Sequence, residues 1–321
     1  MARILITGAG GPAGSALGRQ LAGSEHHVVG ADMVAPQPHI EALFDEVVRV
    51  PRADSPAFLP AVRELVRRER IDLVIPTVQE ELPLFAGAGS LLGARVVISP
   101  IEGVWRAQDK LLTMWALERA GASVPAYLAL EDAGPVVPGR GPAAWSGGFP
   151  LVVKPRTSRG GRGVRVIDTP EQWTAELVAE PGQIVQGFAD GAEYAVQLFV
   201  PARGAVTAVV LEKTALKEGR VGNAAGVRRA HDRDVAQVAI DAVRALGLVG
   251  PLDVDVRRDA SGTPLVLEVN ARFGANSAHA PELLAGVLAE HAAAVAGASG
   301  PQPAGVPPGW GVPQESVRGA A

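Results

Sequence analysis

Asp253 and Asp255 precede a turn, and a Glu-x-Asn pair, Glu268 and Asn270, follows it in PLDVDVRRDASGTPLVLEVNARFG, residues 251–274. Residues two apart on a strand face the same way. A hairpin turning at 260–263 would set Asp255 opposite Glu268 and Asp253 opposite Asn270. Oxygen-bearing side chains then share one face without His or Cys, a donor set suited to a hard cation such as Mg²⁺. Glu268 is placed to bridge two ions on one triphosphate, with Mn²⁺ as a substitute. Arg272, just past the strand, is placed to reach a transferring phosphoryl group. Acids facing the core of a hairpin without function would be costly; the plain alternative is a solvated outer face. Alternation with Val254, Val256, Val266 and Val269 leaves either face as the inner one.

Two upstream stretches carry complementary chemistry. In LVVKPRTSRGGRGVRVI, residues 151–167, a strand ends at Lys154 and a basic glycine-rich loop follows. Lys154 offers a fixed cation, and the loop from Ser158 through Gly160 and Gly161 to Gly163 offers backbone N–H donors to a polyphosphate. Arg156, Arg159 and Arg162 add charge. The loop is not a Walker loop, because no GK[ST] ending precedes a helix. In VQGFADGAEYAVQLFV, residues 185–200, a strand pauses at Gly187, Phe188 and Ala189 and resumes at Glu193. An interrupted strand frees main-chain groups that can read the edge of adenine, with Glu193 accepting from ribose hydroxyls. The plain alternatives are a solvated basic turn and a turn bearing a surface carboxylate.

These groups need a scaffold. Over the first hundred residues, β-branched runs at 3–7, 27–32, 46–50, 72–75 and 95–99 alternate with helical stretches at 13–22, 56–68 and 80–86. Such alternation predicts a parallel sheet covered on both faces, with function at the carboxyl ends of its strands. Asp109 reads as the N-cap of a helix over 109–119, stopped by Gly121. Residues 131–148, rich in Gly and Pro, read as an exposed connection. Strands are expected at 150–154, 163–168, 183–188, 193–200 and 205–213. A helix follows over 232–246, then the hairpin, then a helix over 281–296. Trp105, Trp115 and Trp173 read as packing residues.

The opening MARILITGAGGPAGSALGRQL has the strand–glycine turn–helix form of a dinucleotide site, with Gly8, Gly11 and Gly14 spaced like extended short-chain dehydrogenases. That chemistry needs Tyr-xxx-Lys. The two tyrosines are followed four residues later by Glu131 and Leu198, so the motif stands alone. Glycine there also serves a tight turn.

The bulk composition sets outer bounds. The 321 residues are 47% hydrophobic and 20% charged, which suits a folded chain of two or three units rather than a disordered one. A net charge of −4 argues against a broad nucleic-acid face, and the absence of cysteine removes disulfides, thiolate metal sites and a cysteine nucleophile. No charged leader precedes an apolar core and no apolar span reaches about 18 residues, so a cytoplasmic protein without membrane contact is expected.

The three stretches, in this order, resemble the ATP-grasp superfamily of carboxylate–amine ligases, and within it the carbamoyl-phosphate-synthase-like group, over roughly residues 100–296. The resemblance implies an α/β N-terminal parallel-sheet domain followed by an α+β ATP-grasp fold whose two subdomains clasp ATP. It implies a substrate domain over 1–108, a small subdomain with a glycine-rich flap over 109–183, a metal-bearing subdomain over 184–299 and a tail over 300–321. Family members pair a linker-helix lysine, matched by Lys110, with a central lysine, matched by Lys154. The metal signature matches at Asp255, Glu268 and Asn270, and its arginine at Arg272. Gln186 meets the adenine amine, although Gly187 stands where the family often has a carboxylate. Lys213 or Lys217 is assigned to phosphate and Arg228 or Arg229 to substrate, with the pairs unseparated.

The implied reaction is attack of a carboxylate on the γ-phosphate of MgATP, giving an acyl phosphate and ADP, then displacement of phosphate by an amine. Gly11 and its neighbours line the substrate side. Glu80 and Glu81 hold a substrate ammonium or, equally, serve a helix N-terminus. His279 is a candidate substrate contact, and His231 is expected to be a helix cap rather than a catalytic group. The small-molecule carboxylate and amine stay unnamed, cyclisation within one substrate stays open, and a homodimer is compatible with the family. Two competing readings are an NAD(P)-linked epimerase or reductase and a nucleotide-binding protein without catalysis.

Overall fold

The computed structural model describes residues 1–158, 160–174, 177 and 179–298. The expected tail over 300–321 and Arg159 lie outside the described residues.

The first hundred residues form the expected parallel sheet. Strands β1 (Arg3–Thr7), β2 (His27–Asp32), β3 (Glu46–Arg49), β4 (Leu73–Ile75) and β5 (Arg95–Val96) lie in the order β3-β2-β1-β4-β5. Both faces are buried: Ile4 and Ile6 enter one apolar cluster, while Leu5, Val29 and Val74 enter another. Helices α1 (Pro12–Leu21), α2 (Pro38–Glu41), α3 (Phe58–Glu69) and α4 (Leu82–Ala88) connect the strands. The last strand stops short of residue 99 because the Ser99 hydroxyl donates to the Val249 carbonyl at 2.6 Å, drawing the chain off the sheet. Gly14 serves packing, since a Cβ there would stand 2.2 Å from the Gly8 carbonyl oxygen.

Helices α5 (Ile101–Gln108) and α6 (Lys110–Arg119) link this sheet to the rest. Asp109 caps α6 as expected, accepting from the Leu111 amide at 2.9 Å, and it also pairs with Arg156 at 2.5 Å. After β6 (Tyr127–Ala129), the connection expected to be exposed carries a small ladder, β7 (Val136–Val137) with β8 (Gly141–Pro142). Strands β9 (Leu151–Pro155), β10 (Arg165–Ile167) and β11 (Gln183–Gly187) complete an antiparallel sheet in the order β10-β9-β11-β6. The border expected after residue 183 therefore falls inside a strand of this sheet. It has its own core, built on Leu151, Val153, Trp173 and Val185.

The second antiparallel sheet comprises β12 (Glu193–Val200), β13 (Thr207–Glu218), β14 (Val221–Ala230), β15 (Gly250–Arg258) and β16 (Pro264–Asn270), in the order β14-β13-β12-β15-β16. The strand β14 was not expected. Its Gly- and Ala-rich sequence has weak β-propensity, and pairing with the long β13 holds it. Helix α7 (Arg233–Ala245), capped by Asp232, and helix α8 (Pro281–Ala298) cover the sheet. The hairpin has the expected pairing at its acids, Asp253 with Asn270 and Asp255 with Glu268, and a bulge then shifts the register so that Val256 pairs with Val266. Val254, Val256, Val266 and Val269 are fully buried, so the valine face is the inner one. Trp173 packs as expected, but Trp105 and Trp115 are about half exposed. Among the described residues no helix is long and apolar enough to cross a membrane.

Candidate functional site

The acidic face of the hairpin opens on a cleft of about 900 Å³ that runs from the second antiparallel sheet, under the glycine-rich loop, to the carboxyl ends of the parallel strands. Lys110, Lys154, Ser158, Gly160, Gly161, Gln186, Gly187, Phe188, Ala189, Glu193, Lys213, Asp255, Glu268, Asn270 and Arg272 all line it. So do Gly11, Glu80 and Glu81 from the N-terminal sheet. Elements distant in sequence thus bring most of the expected residues to one cleft.

Lys110 and Lys154 are only 3% and 7% exposed, and lysine is rarely so buried unless paired. Lys110, at the start of α6, donates to the Ser158 carbonyl at 2.9 Å and pairs with Glu268 at 3.2 Å. Lys154, on β9, donates to the Leu267 carbonyl at 3.3 Å. Burial pushes Lys154 down to about 8, with Glu268 opposing that shift and Lys110 adding to it. Lys213, on β13, lies 2.6 Å from Glu193 and 2.7 Å from Asp255. Burial alone would lower its pKa, but those two carboxylates outweigh it and hold the ammonium above the ordinary lysine range. Burial works against the Glu268 carboxylate as well, and Lys110 and Lys154 nevertheless keep it below the usual range.

Asp253 is buried beneath the others. It accepts a hydrogen bond from the Gln197 amide and lies 4.0 Å from Arg272, whose guanidinium donates to Asn270 at 3.3 Å. Burial and then Asp255 raise the Asp253 pKa. Gly274 makes room for this carboxylate, because a Cβ there would stand 2.5 Å from its carbon. Asp255, Glu268 and Asn270 offer oxygen donors only. Among the described residues no group of three or more His, Cys, Asp or Glu side chains is placed to hold a metal alone. Mg²⁺ is commonly held by one or two carboxylates together with substrate phosphates, and the residues present fit that partial shell.

At the other end of the cleft, the Gly10 amide donates to Asp32 at 2.9 Å and the Gly11 amide to the Gly8 carbonyl at 2.9 Å. The glycine turn therefore spends these donors internally. Glu80 and Glu81 line this end of the cleft from a 3₁₀ turn ahead of α4, together with Arg52, and Glu81 accepts from the Thr7 hydroxyl.

Three expected residues do not line the cleft. Gly163 stands at φ +74° between Arg162 and Val164, which do line it. Arg228 is exposed on β14 and pairs with Glu212 at 2.5 Å, because the alternation of the unforeseen strand turns it outward. His279 is exposed, and its carbonyl accepts from Arg229, which pairs with Glu282. Of the unseparated pairs, Lys213 and Lys217 both reach the cleft and neither arginine does. Phe188 lines the cleft, yet the Arg220 and Arg257 guanidiniums lie 4.3 Å and 4.5 Å from its ring centroid. Arg257, which pairs with Glu193 at 3.3 Å, was missed. Its position two residues after Asp255 was the available signal. Gln197 was missed too, since its pairing opposite Asp253 joins strands far apart in sequence.

A family model described as an ATP-grasp domain matches residues 107–276. No curated protein matches the sequence. Among solved structures, the chain is similar to an L-amino acid ligase from Bacillus licheniformis, 21% identical with a TM-score of 0.64, over 87% of this chain and 69% of that one. It is similar to N5-carboxyaminoimidazole ribonucleotide synthetase from Thermotoga maritima, 20% identical with a TM-score of 0.61, over 85% and 69%. It is also similar to biotin carboxylase from Campylobacter jejuni, 16% identical with a TM-score of 0.64, over 88% and 67%. Likenesses at this identity show a shared fold, a parallel α/β sheet followed by two antiparallel sheets facing a cleft.

Proposed function

The chain belongs to the ATP-grasp domain family, and from that premise we propose that it is an ATP-dependent ligase joining a small carboxylic acid to an amine. The observation that carries the reading is the convergence of three lysines with the Asp255, Glu268 and Asn270 oxygens in one cleft. Buried ammonium groups are paired there with carboxylates, and a metal can take over the carboxylates while a polyphosphate takes over the ammonium groups. The similar fold named as an L-amino acid ligase favours the same reaction class.

Phosphoryl transfer depends on alignment and charge neutralisation more than on a protein nucleophile. Lys110 and Lys154 would hold the α- and β-phosphates, and the loop at Ser158, Gly160 and Gly161 would cover them. Gln186, Gly187, Phe188 and Ala189 would meet the base, and Glu193 the ribose. Asp255, Glu268 and Asn270 would hold Mg²⁺, which supplies charge neutralisation on the phosphate oxygens. A carboxylate oxygen of the substrate attacks the γ-phosphorus, and ADP leaves. The amine then attacks the acyl carbon, the C–O bond to phosphate breaks, and the amine loses a proton. Arg272 offsets charge on the phosphoryl oxygens, while the covering loop excludes water that would hydrolyse the acyl phosphate. The acidic arm at Asp32, Glu80 and Glu81 suits an ammonium, which makes an amino acid the favoured substrate class.

A phosphate-release screen over pairs of amino acids and amines, followed by mass analysis, tests this. Release of ADP and phosphate that needs both substrates is expected, with loss of turnover in Glu268→Ala. Release of AMP, or equal behaviour of Glu268→Ala and the unmodified chain, would overturn it.

A further inference from the structure

Both carboxylates of the candidate metal site already hold a cation of the protein's own. Lys213 sits between Asp255 on β15 and Glu193 on β12, at 2.7 Å and 2.6 Å, with its side chain only 4% exposed. Lys110 sits on Glu268 at 3.2 Å. Lys110 is also tied to a peptide carbonyl of the glycine-rich loop, whereas Lys213 is held between two carboxylates. One of these belongs to the metal donor set and the other to the proposed ribose contact.

Resting on the nucleotide and metal reading above, we propose that Lys213 is a resident counter-cation that makes the metal site conditional on nucleotide. A divalent ion reaching Asp255 while Lys213 stays in place meets a like charge in a buried setting, and the carboxylate it needs is already neutralised. A nucleotide changes both terms. Its ribose hydroxyls compete for Glu193, and its phosphates offer the ammonium a stronger anion within reach of a flexible four-carbon stem. Metal and nucleotide are then coupled through one side chain, and the coupling is reciprocal: each raises affinity for the other by the same factor.

The test is Mn²⁺ binding by the full chain, followed by electron paramagnetic resonance with no nucleotide and no turnover. The unmodified chain should bind Mn²⁺ at least about tenfold (about 1.4 kcal/mol) more weakly alone than with ADP. Lys213→Met should bind Mn²⁺ alone at least about tenfold more tightly than the unmodified chain. Lys213→Arg, which keeps the charge, should behave as the unmodified chain does. In thermal melts, Mn²⁺ alone should raise the Tm of Lys213→Met and leave the unmodified chain unmoved. Lys213→Gln provides the same comparison if the methionine variant does not fold. Equal Mn²⁺ affinity in the neutral variants and the unmodified chain, or tight Mn²⁺ binding by the unmodified chain without ADP, overturns the inference and leaves the ligase reading standing. Failure of the unmodified chain to bind Mn²⁺ and ADP together overturns both.

Discussion

At the scale of single residues, Lys154 shows how burial sets a working range. In the proposed reading its cationic form grips phosphate, and burial brings its pKa down to about 8. Nucleotide affinity should therefore be held below pH 8 and fall as the pH rises through it. Lys154→Arg should carry the fall to higher pH, because a guanidinium stays charged. Titrating ADP affinity across that range checks the claim. Stability of the free chain runs the other way. The folded pKa lies below the ordinary 10.5, so the cost of burying the cation is present below about 8 and is relieved as the pH rises toward 10.5. Gly274 works through sterics instead. Gly274→Ala should push Asp253 off Gln197 and release Arg272, lowering turnover by about 10- to 100-fold while ADP affinity holds. Steady-state rates beside an ADP titration separate those outcomes.

At the scale of elements, the acidic half of the hairpin was legible because Asp253 and Asp255 alternate with Val254 and Val256 and pair across with Asn270 and Glu268; the bulge that puts Val266 and Val269, three residues apart, on the same buried side was not. The α6 N-cap was legible for a similarly local reason. Asp109→Ala should cost about 1–2 kcal/mol through loss of the cap, measured by urea unfolding. Asp109→Asn should keep the cap and lose only the pairing with Arg156. What sequence could not convey was long-range pairing. Strand β14 has no local signature and exists through β13, and its alternation turned Arg228 away from the cleft. Strand β6 owes its place to β11, and Gln197 its role to β15. The lysine positions were readable as cations, but their ties to Glu193, Asp255 and Glu268 depend on strands meeting in space.

At the scale of the molecule, the N-terminal sheet is not a separate globule. Ile4, Ile6 and Leu17 share one apolar cluster with Phe199 of β12, Phe273, and Leu283 and Leu284 of α8. A chain beginning at residue 109 would bare that face. It should aggregate or bind a hydrophobic dye strongly, which soluble yield and dye fluorescence would show.

The β9–β11 sheet has a core of its own on one face, while Ala129 and Ile184 on the other face enter the large cluster with Met114 and Val196. Several contacts that join it to its surroundings are polar: Arg156 with Asp109, Lys110 with the Ser158 carbonyl, Lys154 with the Leu267 carbonyl, and Arg220 with Asp168. The enzyme therefore resembles a vice whose two jaws share a greased joint, Ala129 and Ile184 against Met114 and Val196, and are latched across the mouth by static charge. Electrolyte loosens the second kind of fastening and spares the first, so raising ionic strength should hasten departure of spent nucleotide well before it weakens the fold.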